Sequence, residues 1–137
     1  MSRRVLLDTG PAFDCLFNRC GIRGRVVDAR KRGVKIGIGM PVLGEIIGGI
    51  EASQSREHSW NVDHQTLSAF VLWPFDREAA YEYGRLYALL KKVGRPMQQI
   101  DIQIAAIALT LGDCTVVSGD RDLTAIPNLK VENWLPD

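Results

Sequence analysis

The chain has 137 residues, of which 17 are Lys or Arg and 16 are Asp or Glu, so its formal net charge is +1. With 46% hydrophobic and 24% charged residues, the composition excludes a disordered or collagen-like chain and predicts a globular protein. The length suits one domain over residues 1–137, and no apolar run approaches the roughly 20 residues of a membrane span. Because the short apolar run near the N-terminus does not suit a signal peptide either, we expect a cytoplasmic protein with no membrane association.

The predicted elements alternate between strands and helices. In chain order we predict a strand at 5–7, helices at 12–20 and 23–32, a strand at 34–38, a helix at 41–50, a strand at 69–73, helices at 77–92 and 100–111, a strand at 114–117 and an edge strand at 129–134. The helix at 77–92 has the clearest signals, because Asp76 suits an N-cap and Gly94 a helix end. This alternation predicts an α/β domain with a central, mainly parallel sheet between two layers of helices.

The cysteines and the charge distribution further limit the kinds of site that the sequence can form. Three cysteines, Cys15, Cys20 and Cys114, lack CxxC spacing, so we expect buried free thiols rather than a disulfide framework or a thiolate zinc site. Residues 1–35 hold nine basic and three acidic side chains, a local charge of +6 against −5 for the remainder. A basic region can attract phosphate, although a solvated helix and loop explain it equally well.

Several carboxylates fall where a charge is costly unless something compensates it. Asp8 follows the first predicted strand and Asp120 follows the strand at 114–117, and ligand sites of parallel sheets gather at the carboxyl ends of strands. Glu45 lies in an otherwise apolar helix, and Asp101 shares the apolar stripe of its own helix. Each acid alone has another interpretation: the aspartates can cap helices, and Glu45 can pair with a core Arg or face solvent.

Converging carboxylates repel one another at low dielectric, so such a cluster is stable only when cations lie between them. Oxygen ligands select hard ions such as Mg²⁺ or Mn²⁺, which polarise a phosphate and activate a water. The acids therefore indicate hydrolysis of a nucleic-acid backbone.

The order of these motifs resembles the PIN-domain ribonucleases and, within them, the VapC-like toxins of type II toxin–antitoxin pairs. The matching segments are Leu6-Leu7-Asp8-Thr9, Pro41-Val42-Leu43-Gly44-Glu45, Asp101 with Ile104-Ala105-Ala106-Ile107-Ala108, Val116-Val117-Ser118-Gly119-Asp120-Arg121-Asp122-Leu123, and the tail from Ile126 to Trp134. Gly10 stands where many relatives carry a small polar residue, and Leu123 stands where Phe is commoner. All the acidic positions are filled, so nothing indicates a dead enzyme.

The resemblance implies a PIN-like three-layer fold and a metal-dependent endoribonuclease. Four acids would be catalytic and hold Mg²⁺ or Mn²⁺, namely Asp8, Glu45, Asp101 and Asp120. Asp122 would be a possible fifth ligand, and Thr9 and Ser118 would hydrogen-bond the acids. The resemblance further implies RNA as substrate, a homodimer, and a small antitoxin whose tail enters the acidic site.

Other functions fit the sequence less well. A catalytically weak PIN-like subunit that binds RNA or protein is the main alternative, and intact acids favour the enzyme. A flap-type DNA nuclease would need a longer chain, and a haloacid-dehalogenase phosphatase is excluded because position 10 is Gly. His58 and His64 are more often solvated than catalytic in such a polar segment. Among the tryptophans, which could stack on bases, we expect Trp73 in the core and leave Trp60 and Trp134 open.

Overall fold

The computed structural model describes residues 2–53 and 64–136 and contains five strands and six α-helices in those ranges. His58 and Trp60, which the sequence analysis singled out, lie outside them. The strands are β1 (Arg4–Leu7), β2 (Lys35–Gly39), β3 (Val71–Trp73), β4 (Cys114–Val117) and β5 (Lys130–Glu132). The helices are α1 (Thr9–Leu16), α2 (Ile22–Lys31), α3 (Met40–Ala52), α4 (His64–Ala69), α5 (Arg77–Lys92) and α6 (Gln99–Leu111), with a 3₁₀ helix at Arg121–Ala125.

The five strands form one sheet in the order β3-β2-β1-β4-β5, and every pair is parallel. Neighbouring side chains of a strand point to opposite faces, yet Val5, Leu6 and Leu7 are all buried, and so is the whole of β4. Burial on both faces requires helices on both sides of the sheet. The predicted three-layer α/β/α architecture is therefore confirmed, and the sheet is fully parallel where the sequence predicted a mainly parallel one.

Gly37 allows β2 and β3 to approach each other. A Cβ built at this position would lie 2.2 Å from the Val71 carbonyl oxygen and 2.8 Å from the Trp73 ring. In the sheet register Gly37 is the partner of Val71, so the missing side chain is what leaves room for the edge strand.

Helix α5 follows the prediction closely. Asp76 is its N-cap, and the Asp76 carboxylate accepts a 3.0 Å hydrogen bond from the Ala79 N–H. The sequence of α5 predicts an apolar stripe that includes Leu86, Tyr87 and Leu90; Leu86 and Leu90 are buried, whereas Tyr87 is half exposed. The buried face of α5 is thus narrower than its sequence indicates.

Other predicted details are wrong for identifiable reasons. The strand expected at 69–73 begins only at Val71, because α4 extends to Ala69. Helix α1 begins at Thr9 rather than near residue 12, since Asp8 already caps it. Cys20 is exposed in the turn before α2, whereas Cys15 and Cys114 are buried as expected. Among residues 2–53 and 64–136, no helix combines the length and apolar character that crossing a bilayer requires.

Candidate active site

The strand order reverses between β1 and β4, which lie side by side in the middle of the sheet. At such a reversal the connections leave in opposite directions, and a crevice opens at the carboxyl ends of the two strands. Asp8 directly follows β1 and Ser118 directly follows β4. The Asp8 N–H donates a 2.9 Å hydrogen bond to the Val117 carbonyl, so these two chain segments are joined where the crevice begins.

Asp8 is fixed by hydrogen bonds to both carboxylate oxygens. Oδ1 accepts from the Thr9 N–H at 2.8 Å, which makes Asp8 the N-cap of α1. Oδ2 accepts from the Ser118 hydroxyl at 2.7 Å. Helix capping and a ligand role are compatible here, because each carboxylate oxygen carries two lone pairs and only part of that capacity is used.

Ser118 links Asp8 to Asp120. The Ser118 side chain is 3% exposed, and its hydroxyl oxygen accepts a 2.9 Å hydrogen bond from the Asp120 N–H while it donates to Asp8. Asp120 in turn caps the 3₁₀ helix, and its Oδ1 accepts from the Asp122 N–H at 2.9 Å. The turn after β4 therefore holds its first acid in a defined position beside Asp8.

Glu45 reaches the same place from α3. Val42, Ile46 and Ile50 face the core at helical spacing, and this places Glu45 on the exposed side of the helix. Its Oε1 accepts a 2.6 Å hydrogen bond from the Thr9 hydroxyl. Among the described residues no cation forms an ion pair with Glu45, so pairing with a core Arg does not explain it.

Asp101 is the buried acid of the group. It lies in the first turn of α6, and only 9% of its surface is exposed. Burial, together with the smaller effects of the charges of Asp8, Asp120, Asp122 and Glu45 in that order, raises the pKa of Asp101 from its ordinary value of 3.8 to about 6. We call these five residues the acid cluster. They come from four separate parts of the chain and act on one another electrostatically.

Asp122 differs from the other members because it has a cationic partner. Arg95 Nη2 lies 3.6 Å from Asp122 Oδ1, and both side chains are more than half exposed. Arg95 lies in the segment between α5 and α6, where no periodicity or motif in the sequence indicates it. Arg95 therefore brings a positive charge to the border of the acid cluster.

The acid cluster fits a hard cation by its chemistry. Its donors are carboxylate oxygens, the ligands that Mg²⁺ and Mn²⁺ prefer. The pKa of Asp101 is raised mainly by burial and further by the charges of the other four acids, and a divalent ion would offset that charge. Within residues 2–53 and 64–136, no three Asp, Glu, His or Cys side chains are yet close enough together to hold one ion. Metal binding would therefore require side-chain rotation, which the exposed Glu45 and half-exposed Asp8 and Asp120 permit.

Comparison with known proteins places the chain in a family. It is 29% identical over 135 residues to the tRNA(fMet)-specific endonuclease VapC of Shigella flexneri, which covers 96% of this chain and 98% of that protein. To the tRNA(fMet)-specific endonuclease VapC of Salmonella typhimurium it is 30% identical over 92 residues, or 67% of this chain and 70% of that protein. The chain belongs to the VapC family. No family model matches the chain.

The fold comparison agrees with membership of the VapC family. The crystal structure of DNA-bound VapBC from Salmonella typhimurium has a chain that superposes with a TM-score of 0.85 at 28% identity. The superposition covers 96% of this chain and 98% of that chain. The VapC-like PIN fold thus accounts for nearly the whole sequence.

Proposed function

We propose that this protein is a metal-dependent endoribonuclease, the toxin of a toxin–antitoxin pair, which hydrolyses RNA phosphodiester bonds at the acid cluster. The observation that carries the proposal is that four other carboxylates act electrostatically on the buried Asp101 beside the strand-order reversal of a VapC-family fold, and contribute to a pKa of about 6. Relatives named as endonucleases and ribonucleases support the reaction class.

Each side chain of the acid cluster has a role in this proposal. Asp8 and Asp101 would be the main ligands for Mg²⁺ or Mn²⁺, because Asp8 follows β1 at the strand-order reversal and Asp101 is the buried acid on which the other charges act, and Glu45 and Asp120 would complete the set. Asp122 is a weaker fifth candidate, since it is exposed and paired with Arg95. When bound, the ion polarises the scissile phosphate, activates a water and stabilises the leaving oxygen.

Two hydroxyl groups position the acids. Ser118 holds Asp8 and the backbone of Asp120 together, and Thr9 holds Glu45 against the start of α1. Outer groups of this kind orient metal ligands and limit their rotation. We assign to Arg95, which pairs with Asp122, a contact with a phosphate of the substrate.

The partners follow from the same proposal. The substrate is RNA, and tRNA is the first RNA to test because two relatives are named for tRNA(fMet). We further propose a homodimer and a small antitoxin that blocks the acid cluster. Tyr81, Tyr87 and Val93 are at least half exposed along and just after α5 and offer apolar surface to a protein partner.

The deciding experiment is cleavage of a tRNA pool by antitoxin-free protein with Mg²⁺, with Mn²⁺ and with EDTA. We expect cutting with either metal, none with EDTA and none from Asp101→Asn. Glu78→Gln is the matched control, because Glu78 is an exposed carboxylate in the first turn of α5, outside the acid cluster. Folded protein that cuts no RNA under any metal would instead support the binding-subunit alternative.

A further inference from the structure

A basic groove lies at the end of the sheet where the strands begin. A cavity of about 490 Å³ is lined there by four charged residues, Arg3, Arg4, Arg32 and Lys35, and no Asp or Glu is among the described residues that line it. We call it the basic groove. In a parallel sheet all strands begin at the same end of the sheet, so the basic groove lies at the amino-terminal ends of the strands and the acid cluster at their carboxyl ends. Arg4 in the basic groove and Asp8 in the acid cluster are four residues apart in the chain, a separation along β1 of about 13 Å at about 3.3 Å per residue.

The backbone brings these four cations together. Arg4 and Lys35 are partners in the register of β1 and β2, and the Lys35 N–H donates a 2.9 Å hydrogen bond to the Arg3 carbonyl. Arg32 is the C-cap of α2, and Gly33 follows with a φ of +84°, a value that glycine adopts without strain. This turn places Arg32 at the start of β2.

The charge of the basic groove is not neutralised within the described part of the chain. Arg3, Arg32 and Lys35 are exposed and form no ion pair there, and the Arg4 guanidinium donates only to backbone carbonyls, including that of Gly112 at 3.0 Å. A neighbouring cavity of about 540 Å³ shares Arg32 and adds Arg25, whose guanidinium stacks 4.9 Å above the Trp134 ring. That cavity also contains Asp28 and Glu132, so the excess of positive charge is concentrated in the basic groove.

We propose that the basic groove binds the phosphate backbone of RNA and anchors the substrate away from the acid cluster. This inference rests on the proposed ribonuclease function. A net charge of +1 gives the protein little overall attraction for a polyanion, and a divalent ion at the acid cluster offsets only part of the charge of five carboxylates, so a separate cationic surface supplies attraction that the cutting site lacks. A domain of this length has a radius of gyration of about 14 Å, so a folded RNA that extends along its surface is long enough to contact both ends of the sheet.

The test compares two variants that lose the same charge, both built on Asp101→Asn so that RNA is not cut. The groove variant is Arg3→Gln/Arg32→Gln/Lys35→Gln. The control variant is Arg77→Gln/Lys91→Gln/Lys92→Gln, which removes three exposed cations from α5. The probe is a fluorescently labelled RNA hairpin, and its Kd is measured by anisotropy over a range of salt concentrations.

We expect the groove variant to raise Kd by about tenfold or more at low salt and to reduce the slope of log Kd against log salt by about 2, at roughly 0.7 per phosphate contact. The control variant should stay within twofold of its parent. Thermal unfolding verifies that both variants fold. If the groove variant does not fold, Arg32→Gln and Lys35→Gln are tested singly against Arg32→Lys and Lys35→Arg, which keep the charge and should keep the affinity.

Two outcomes would overturn the inference. An equal rise in Kd in the groove and control variants would show that RNA binding depends only on the net charge of the protein. Unchanged RNA binding with loss of antitoxin binding would assign the groove to an acidic protein. Failure of the proposed function gives a different result: wild-type protein would cut nothing with Mg²⁺ or Mn²⁺, while the groove variant would still lose hairpin binding.

Discussion

The Ser118 hydroxyl donates a 2.7 Å hydrogen bond to Asp8 Oδ2, although the two residues are 110 positions apart in the chain. The bond joins the turn after β4 to the end of β1 across the point where the strand order reverses. Because the same oxygen accepts from the Asp120 N–H, one buried hydroxyl sets the positions of two acids.

Ser118→Ala should therefore impair the site without removing a carboxylate. We expect a loss of about 10- to 100-fold in cleavage rate or Mn²⁺ affinity, the usual range for groups that orient metal ligands. Calorimetric titration with Mn²⁺ and a cleavage assay measure the two effects. Thr124→Ala is the control, since its exposed hydroxyl bonds only to the nearby Arg121 carbonyl and should leave both values unchanged. Equal behaviour of the two variants would contradict a positioning role for Ser118.

Thr9→Val should release Glu45 and lower cleavage, while the Thr9 N–H can still donate to the Asp8 carboxylate that caps α1. We expect a loss of about tenfold, at the low end of the range for groups that orient metal ligands, because Glu45 stays on the same helix. Thr9→Ser keeps the hydroxyl and should recover most of the rate. No recovery in Thr9→Ser would mean that the threonine methyl group, rather than the hydrogen bond, matters.

Asp101→Asn should abolish cleavage. The loss of rate should exceed the roughly 100-fold that removal of an orienting group costs, and the variant should still fold. It should also stabilise the metal-free protein, because it removes a buried charge that four other carboxylates repel. After allowance for solvent screening, we expect a gain of about 1 to 2 kcal/mol at neutral pH. Denaturant unfolding in EDTA measures it, and a destabilised variant would show that Asp101 has a structural role.

The pKa of Asp101 also predicts a pH dependence. It is raised from 3.8 to about 6 in the folded protein, so between these values the folded state holds a proton that the unfolded state has released. Folding stability of the metal-free protein should therefore fall as pH rises from about 4 through 6 and then level off. The difference between wild type and Asp101→Asn isolates this contribution, and a difference that is constant over pH 4 to 7 would refute it.

Two glycines should respond oppositely to the same substitution. Gly37→Ala places a Cβ 2.2 Å from the Val71 carbonyl, so β3 must separate from β2, and we expect a loss of about 3 kcal/mol or more in unfolding free energy. Gly48 in α3 has nothing within 4 Å of its Cβ position, and Gly48→Ala should gain up to about 1 kcal/mol from helix propensity. Thermal unfolding of both variants tests the close approach of the edge strand.

The sequence alone determined the alternation of elements, the parallel α/β class and which acids follow strands. These features depend on local patterns: apolar runs mark the buried strands, and Asp76 marks the start of α5 by capping alone. The resemblance to VapC-like toxins added the family, which the relatives confirm. The ligand roles of Asp8, Glu45, Asp101 and Asp120 stay predictions, although the structure brings these side chains together.

Only the tertiary structure decided how the acids meet and what else surrounds them. The hydrogen bond from Thr9 to Glu45 joins residues 36 positions apart, and the pair of Arg95 and Asp122 has no sequence signal. From the sequence alone, the basic residues near the N-terminus could equally be a solvated surface or a region that attracts phosphate. Their assembly around Arg3 and Lys35 depends on strand register, which is set by the packing of distant segments and not by local preference.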